Sequence, residues 1–422
     1  MDFNTLLFRL GLDSNDFINK LNEPIKTDSG FIYEIEQRKD IRICPDCGCN
    51  NAVINDYDYV EINCSETNHI TDTVRIKKVR FKCKDCNKSF TPKLKGINPY
   101  SKMSSQTREM IVRDFSYKIT FSDIAKRYGL TTARVLQIFD EIITYVPRKL
   151  MPPVLCIDEI RFQEELDQKY CCVLYDFNNR DTVDIIRNRQ LPYLDEYFSQ
   201  IPQKERMRVK YFISDMYDGY RTVHRKYFPQ AIHIVDLFHV ITQLTNVVNR
   251  IRTQAMKRCG EGSLQYNFMK SHWKLFLCRH ENIPDKFYTS RKTGEVYHYD
   301  ELVHCCIKSD KDLLEAYNAL QDLFHYHQKY TYKKALAFID YISNRLLSST
   351  NELLRSIGRT YHKWRVEIAH AFSNTNNGLR YTNAIAESIN NHLKTLIKMA
   401  YGYHNFERFR KRALLIDANK KT

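Results

Sequence analysis

The chain of 422 residues predicts a multidomain α/β protein, and three patterns carry that expectation. Two Cys-x-x-Cys pairs sit among alternating strand-like runs near the start. Five β-rich runs between residues 154 and 235 are interleaved with helical patterns. An almost wholly helical stretch then runs from Leu237 to about His370.

Residues 1–40 read as a short helical lead-in, and strand-like alternation follows to Lys95, so residues 1–95 form a first module. Gly96–Lys102 (GINPYSK) is a polar linker. Helical patterns fill residues 104–146, and VPRKLMPP (Val146–Pro153) is a stiff, basic second linker. Val154–Arg161, Tyr170–Phe177 and Thr182–Arg187 are short strands, the last two joined by the turn Asn178-Asn-Arg-Asp181. A helix at about Leu191–Ile201, a strand at Val209–Ser214, a helix around Tyr217–Phe228 and a strand at Ala231–Val235 complete a sheet over residues 154–236. Residues 237–375 form a helical insertion. Helices near Asn383–Met399 and His404–Ile416 close the chain over 380–418.

The composition, 43% hydrophobic and 13% aromatic, is that of a folded protein. Lys plus Arg number 65 against 50 acids, a net charge of +15 with a pI near 9.1, which points to a polyanionic partner. The surplus is concentrated: between Arg75 and Lys102 there are ten Lys/Arg and a single acid, Asp85. No run approaches the roughly 18–20 apolar residues of a membrane span. The start lacks the basic and apolar stretches of a secretory signal. Thirteen cysteines, an odd number, suit thiols and metal ligands better than a disulfide framework. A cytoplasmic protein without membrane contact is expected.

Cys44-Pro-Asp-Cys47 and Cys83-Lys-Asp-Cys86 stand 35 residues apart. Four thiolates at such spacing suit a tetrahedral structural zinc, with Cys49, Cys64 and His69 as possible substitute ligands. Thr120–Phe139 (TFSDIAKRYGLTTARVLQIF) has helix-turn-helix spacing: Ala125 is small where helices cross, Gly129 makes the turn, and Val135 and Ile138 face the core. Thr131 can cap the second helix, leaving Thr132, Arg134 and Gln137 to project toward phosphates and base edges. A plain αα-hairpin satisfies the same pattern.

Asp158 lies within the apolar run VLCIDEIRF, while Asp215 and Asp236 each end a buried strand. Glu387 falls about one turn into a helix that Asn383 could cap. Carboxylates at such places are costly unless something positive meets them. Converging on divalent cations would offset that cost, and two such ions can stabilise attacking and leaving oxygens at phosphorus. Spacing alone does not choose among Asp158, Glu159, Asp184, Asp215, Asp236 and Glu387.

Three stretches together carry a resemblance: VLCIDEIRF, ISDMYDGYRTVHRKYFPQAIHIVDLFHVI and AIAESINNHLKTLIKMAYGYHNFERFRKR. With the cysteine pairs and the helix-turn-helix before them, they make the chain similar over nearly its whole length to DDE transposases of bacterial insertion sequences, the family called ISL-three. The resemblance implies a zinc-ribbon-like module, a helix-turn-helix and an RNase H-like catalytic domain split by the helical insertion. It matches Asp158, Asp215 and Glu387 to a catalytic triad holding Mg2+ or Mn2+. It matches Asp236 and His239 to an Asp-x-x-His signature that braces the site. It implies cleavage at the element's terminal inverted repeats and joining of the 3′ ends to target DNA, by a homodimer or higher oligomer. Asn390, Asn391 and Lys394 follow Glu387 along its helix and are expected to hold DNA near the metals. A metal-dependent nuclease without strand transfer and a DNA-binding regulator on a transposase scaffold are the rival readings.

Overall fold

The computed structural model describes residues 2–27, 30–40, 42–63, 73–97, 103–162, 169–290, 292–325, 331–373, 375–376, 379–381, 384–399 and 405–419. The chain forms two compact units, residues 1–147 with 395–422 and residues 148–394.

The first unit begins with α1 (Phe3–Leu10) and strands β1 (Ile25–Lys26), β2 (Phe31–Glu36), β3 (Ala52–Asn63), β4 (Thr73–Cys83) and β5 (Ser89–Phe90). The sheet order is β1-β2-β4-β3, with β5 also on β4. Residues 1–40 are therefore not simply a helical lead-in. The alternating run Phe31-Ile-Tyr-Glu-Ile-Glu pairs in parallel with β4 and buries Ile35. The antiparallel β3–β4 register runs from Ala52↔Cys83 to Asn63↔Thr73. That pairing returns the chain to its starting level, so the cysteine pair before β3 and the pair after β4 meet at one end of the hairpin.

Helices α2 (Ser105–Asp114), α3 (Phe121–Arg127) and α4 (Thr132–Ile142) follow. Thr120 and Asp123 form a reciprocal capping box at α3, and Thr131 caps α4 through the Arg134 N–H. Gly129 takes φ +61°, a left-handed conformation that lets the chain turn between them. Ile124, Ala125, Val135, Ile138 and Phe139 close a core with Ile111 and Phe115 of this bundle. The closing helix, Phe406–Asn419, joins the same bundle. Its Arg412 is wholly buried, donates to the Tyr117 and Ile119 carbonyls at 3.0 and 2.7 Å, and stacks over Phe121. Its Arg408 pairs with Asp140 of α4, holding that carboxyl below its usual range. Residues 380–418, read from the sequence as one catalytic piece, are thus divided at Lys394, because this amphipathic helix buries its apolar side on α2–α4.

The second unit carries β6 (Val154–Arg161), β7 (Tyr170–Asp176), β8 (Asp181–Ile186), α5 (Leu191–Ser199), α6 (Gln203–Arg206), β9 (Tyr211–Ser214), α7 (Asp218–Tyr227) and β10 (Ile232–Val235). Its sheet runs β10-β9-β6-β7-β8: an antiparallel meander β6-β7-β8 to which β9 and β10 add in parallel. Alternate residues Leu155, Ile157, Cys172, Leu174 and Phe212 line one face and pack on Leu194 and Phe198 of α5 and Tyr220 and Val223 of α7.

After β10 come α8 (Leu237–Arg258) and α9 (Leu264–Ser271), the hairpin β11 (Phe287–Thr289) and β12 (Val296–His298), then α10 (Tyr299–Lys308), α11 (Lys311–His325), α12 (Tyr332–Leu347), α13 (Glu352–Lys363) and α14 (Arg365–Ser373). The hairpin, closed through Gly294 at φ +75°, departs from the all-helical expectation. A two-stranded bridge, β13 (Thr375–Asn376) with β14 (Leu379–Arg380), leads to α15 (Ala384–Met399), within which the division between units falls. A buried pair fastens α14 of this helical stretch back to α7. Arg221 of α7 donates to both Glu367 oxygens at 2.8 Å and lies 3.7 Å over the Trp364 ring. Among the described residues no helix is long and apolar enough to cross a membrane.

Candidate functional site

Strand register explains why an aspartate ends two successive strands. Cys156 of β6 pairs with Ile213 of β9, and Val235 of β10 pairs with Ser214. Continuing each register by one or two residues puts Asp158, Asp215 and Asp236 level across three adjacent parallel strands, on the face opposite the α5–α7 core. Glu387 stands in the first turn of α15. A cleft of about 620 Å³ is lined by all four of these acids, together with His239 and Lys394.

The acids differ in how they are held. Asp158 Oδ1 accepts from the Glu159 N–H at 2.8 Å, and Oδ2 accepts from Asn390 Nδ2 at 2.8 Å. Burial first, then the Glu159 and Asp236 charges, push the Asp158 carboxyl above its usual range. Asp215 is pushed up to about 6 for the same first reason, with Glu159 and Asp158 adding to it, while His239 draws it back. Asp215 Oδ1 is buried and meets no hydrogen-bond donor among the described residues. Asp236, 2% exposed, caps α8 through the Phe238 N–H and lies 3.9 Å from His239 Nε2. Glu387 is exposed on the cleft wall. Among the described residues, no three acid or imidazole groups of the cleft bring ligand atoms within 4.8 Å of one another. The acids share a cleft without meeting at one point.

The structure also sorts the other sequence candidates. Asp184 faces the α5 side, where it accepts from the Tyr197 hydroxyl at 2.8 Å, and is away from the cleft. Glu159 lines the cleft but is matched by Arg189, whose Nη1 lies 2.7 and 2.6 Å from its two oxygens. Arg189 also rests on the rings of Tyr170 and Tyr217. Asn390, expected to contact DNA, is instead 4% exposed and bonded to Asp158 and to the Tyr175 hydroxyl. It sits three residues after Glu387, on the helix face turned to the sheet. Asn391 and Lys394 are exposed. Asn383, the expected cap of this helix, lies outside the described residues. Arg189 and Tyr175 escaped the sequence reading, although a phenol in a strand as apolar as YCCVLYD was a signal, since a buried tyrosine hydroxyl needs a partner.

The second cluster lies in the first unit. The Sγ atoms of Cys44, Cys47, Cys83 and Cys86 are all within 4.8 Å of one another, with Cys44–Cys86 and Cys47–Cys83 both 3.6 Å apart. A tetrahedron with zinc–sulfur bonds of about 2.3 Å has edges of about 3.8 Å, so the four thiols fit a zinc ion. Each pair is shaped by a left-handed residue just after it, Gly48 at φ +72° and Asn87 at φ +64°. The Cys47 N–H directed at Cys44 sulfur is the first cause drawing that thiol down to about 7. Cys49 is not part of the cluster, and Cys64 and His69 lie outside the described residues. On α4, Thr132 and Gln137 are exposed, whereas Arg134 is half-buried and 3.7 Å from Glu141.

A family model described as transposase, of the ISL-three DDE type, matches residues 155–413. The chain is 22% identical over 260 residues to the transposase for insertion sequence element IS1001 of Bordetella parapertussis, a match covering 60% of this chain and 58% of that one. The chain therefore spans about three-fifths of the length of that curated relative. The family match takes in more than half of the chain and contains all four acids of the cleft, and the protein belongs to the ISL-three family of DDE transposases.

Proposed function

We propose that this protein is an insertion-sequence transposase that binds the element's terminal inverted repeats, cleaves there and joins the 3′ ends to target DNA. The observation that carries the reading is the row of Asp158, Asp215 and Asp236 lining one cleft with Glu387, with Asp215 Oδ1 buried and without a partner among the described residues. Asp158, Asp215 and Glu387 would hold Mg2+ or Mn2+, which supplies the Lewis acidity that phosphoryl transfer needs. The strand order, an antiparallel meander extended by two parallel strands, supports an RNase H-like core interrupted by the helical insertion.

The chain's own groups have distinct parts in this reading. Asn390 orients Asp158, and Arg189 neutralises Glu159, so the charge left in the cleft belongs chiefly to the metal-holding acids. Asp236, as the cap of α8, and His239 brace the row of acids. Lys394 and Asn391 offer a cation and an amide beside the cleft for the DNA backbone. In the first unit the four thiols hold a structural zinc, and Thr132, Arg134 and Gln137 on α4 meet the inverted repeat, with a homodimer or higher oligomer pairing two ends.

The test is nicking of a labelled element end with magnesium or manganese, with end binding measured in parallel. Asp158→Asn, Asp215→Asn and Glu387→Gln should each lower cleavage and strand transfer by several orders of magnitude while end binding persists. Near-normal cleavage by Glu387→Gln would remove it from the triad and point to Asp236. Cleavage without joining of a pre-cut 3′ end would make the protein a nuclease.

A further inference from the structure

We infer that Tyr175 and Asn390 act as positioning residues that fix the register of the Glu387 helix against the Asp158 strand, so that the two carboxylates present themselves to the same metal ions. The inference rests on the metal-dependent reading above and adds to it two side chains that touch neither substrate nor metal.

The geometry starts in the sheet. Cys156 pairs with Tyr175 and Asp158 with Val173, so Tyr175 and Asp158 project from the same face as diagonal neighbours on adjacent strands. Asn390 comes down on that face from α15 and occupies the space between them. Its amide Nδ2 donates to Asp158 Oδ2 at 2.8 Å, and its Oδ1 accepts a short hydrogen bond from the Tyr175 hydroxyl. The polarity is forced. A phenol that stays protonated can donate to the amide oxygen, which leaves the amide nitrogen for the carboxylate. Burial drives the Tyr175 hydroxyl well above its usual range, so it remains a donor. Both Tyr175, 0% exposed, and Asn390, 4% exposed, are closed off from water that could substitute for either bond.

This bridge does two things at once. It occupies Asp158 Oδ2 from one side and so fixes the carboxylate's rotation. It also pins α15 at a point three residues from Glu387, on the adjoining part of the helix surface. Glu387 itself is exposed, and the chain between β10 and α15 runs through the whole helical stretch, so the bridge at Asn390 is what ties this part of the helix to the Asp158 strand. A purely apolar contact would hold the helix to the sheet but would not choose one rotation of the Asp158 carboxylate. Partners behind a metal ligand have this effect elsewhere: losing one lowers metal affinity or activity by about 10–100-fold.

The experiment uses the full-length protein and manganese alone. Calorimetric titration measures its binding, and nicking of an element end is followed as magnesium is raised. Asn390→Leu, similar in size and apolar, and Tyr175→Phe, which deletes one oxygen, both suit a buried site. Melting curves verify that each variant folds. Asn390→Leu should weaken manganese binding at the carboxylate cleft about 10–100-fold, and Tyr175→Phe by a smaller factor of about 3–10. In both, higher magnesium should restore nicking, which a collapse of the fold would not allow. Wild-type manganese affinity in folded Asn390→Leu would overturn the inference. Asp158→Asn is the control that separates the two readings. If it abolishes metal binding and nicking while Asn390→Leu behaves as wild type, the positioning role fails and the metal site stands. If Asp158→Asn binds metal and cuts normally, the functional reading itself fails.

Discussion

The four thiols and the four acids are both groups of side chains of kinds that can ligate metals, yet they are built in opposite ways. The thiols come from two turns brought together by a single hairpin, and the Cys44–Cys86 and Cys47–Cys83 sulfurs already stand 3.6 Å apart. The acids come from three strands and a helix, with Asp215 57 positions after Asp158 and Glu387 172 positions after Asp215. They face a common cleft without closing on a point. A structural ion needs a complete cage, whereas a catalytic one needs open positions for substrate and water. On the proposed function, the difference teaches that the thiol site would be a folding element and the acid cleft a working surface.

The largest expected effect tests the first half of that contrast. Structural zinc in small modules carries apparent binding energies of order 10 kcal/mol, which is then folding energy. Cys83→Ser, or a strong zinc chelator, should release about one zinc per chain and unfold the β3–β4 module. The second unit should keep its own melting transition. Gently purified protein without zinc, or one that keeps the module folded after chelation, would break the comparison. Removing magnesium should leave both units folded.

The next effect concerns how the cleft is assembled. Arg221 and Glu367 are both about 90% buried and join α7 to α14. Arg221→Met leaves a carboxylate unpaired in that place, a loss of about 3–5 kcal/mol. It should lower the melting of the second unit and with it the metal affinity of the acids, while the zinc content stays at wild type. Loss of zinc instead would mean that the two clusters are not independent.

How much of this could be read from the sequence follows from the same contrast. The Cys-x-x-Cys pairs were legible because each knuckle is local and thiols are rarely spaced that way by accident. The strand–helix order of residues 154–235 was legible from periodicity, and so was the placement of Asp215 and Asp236 at strand ends. What the periodicity could not give was register. That Asp158, Asp215 and Asp236 lie level depends on which strands neighbour which, and that Asp184 faces away depends on the irregularity in the β7–β8 pairing between Leu174 and Tyr175. Asn390 was expected to hold DNA because it follows Glu387 along the helix, and its partner, Tyr175, lies 215 residues away. The strand Phe31–Glu36 was missed because its pairing partner, β4, begins some forty residues later. Long-range pairing is the common element in these misses, whereas the missed hairpin β11–β12 is local.

A third effect reads the stored repulsion of the acid cleft. Asp215 is pushed from 3.8 up to about 6, by burial before anything else. The fold therefore favours its neutral form: that contribution is fully present below about pH 3.8 and is lost as pH rises through about 6. In metal-free protein Asp215→Asn keeps the neutral shape at every pH. It should stabilise the second unit by roughly 1–3 kcal/mol near neutral pH, and the gain should shrink toward zero in acid. The same variant should lose cleavage, so stability and activity move in opposite directions. No working counterpart exists in the thiol cluster, where every substitution is expected to destabilise. An Asp215→Asn protein that melts below wild type at neutral pH would show that the carboxylate is already compensated without an ion.

The smallest effect lies on α4 and asks whether the first unit, beyond its zinc, reads sequence. Gln137 is exposed and can present its amide to an adenine edge in the major groove, a contact worth roughly 1–3 kcal/mol of discrimination. Arg134 is differently placed. It is half-buried and near Glu141, which is itself held by Arg108 at 3.0 Å. To reach a base it must leave that pair, but an exposed pair of this kind is worth under about 1 kcal/mol, and Glu141 keeps Arg108 when it goes. Arg134 therefore remains available to DNA at little cost, and Arg134→Ala should barely change the melting of the bundle. Binding of the variants to the inverted repeat and to random duplex decides the point. Gln137→Ala and Arg134→Ala should lose affinity for the repeat selectively, each at one base position. A Lys82→Ala change in the basic strand β4 should instead weaken both duplexes alike and flatten the salt dependence. If Arg134→Ala loses equally on both duplexes, the arginine is a phosphate contact, and the reading of bases falls to Gln137 and Thr132.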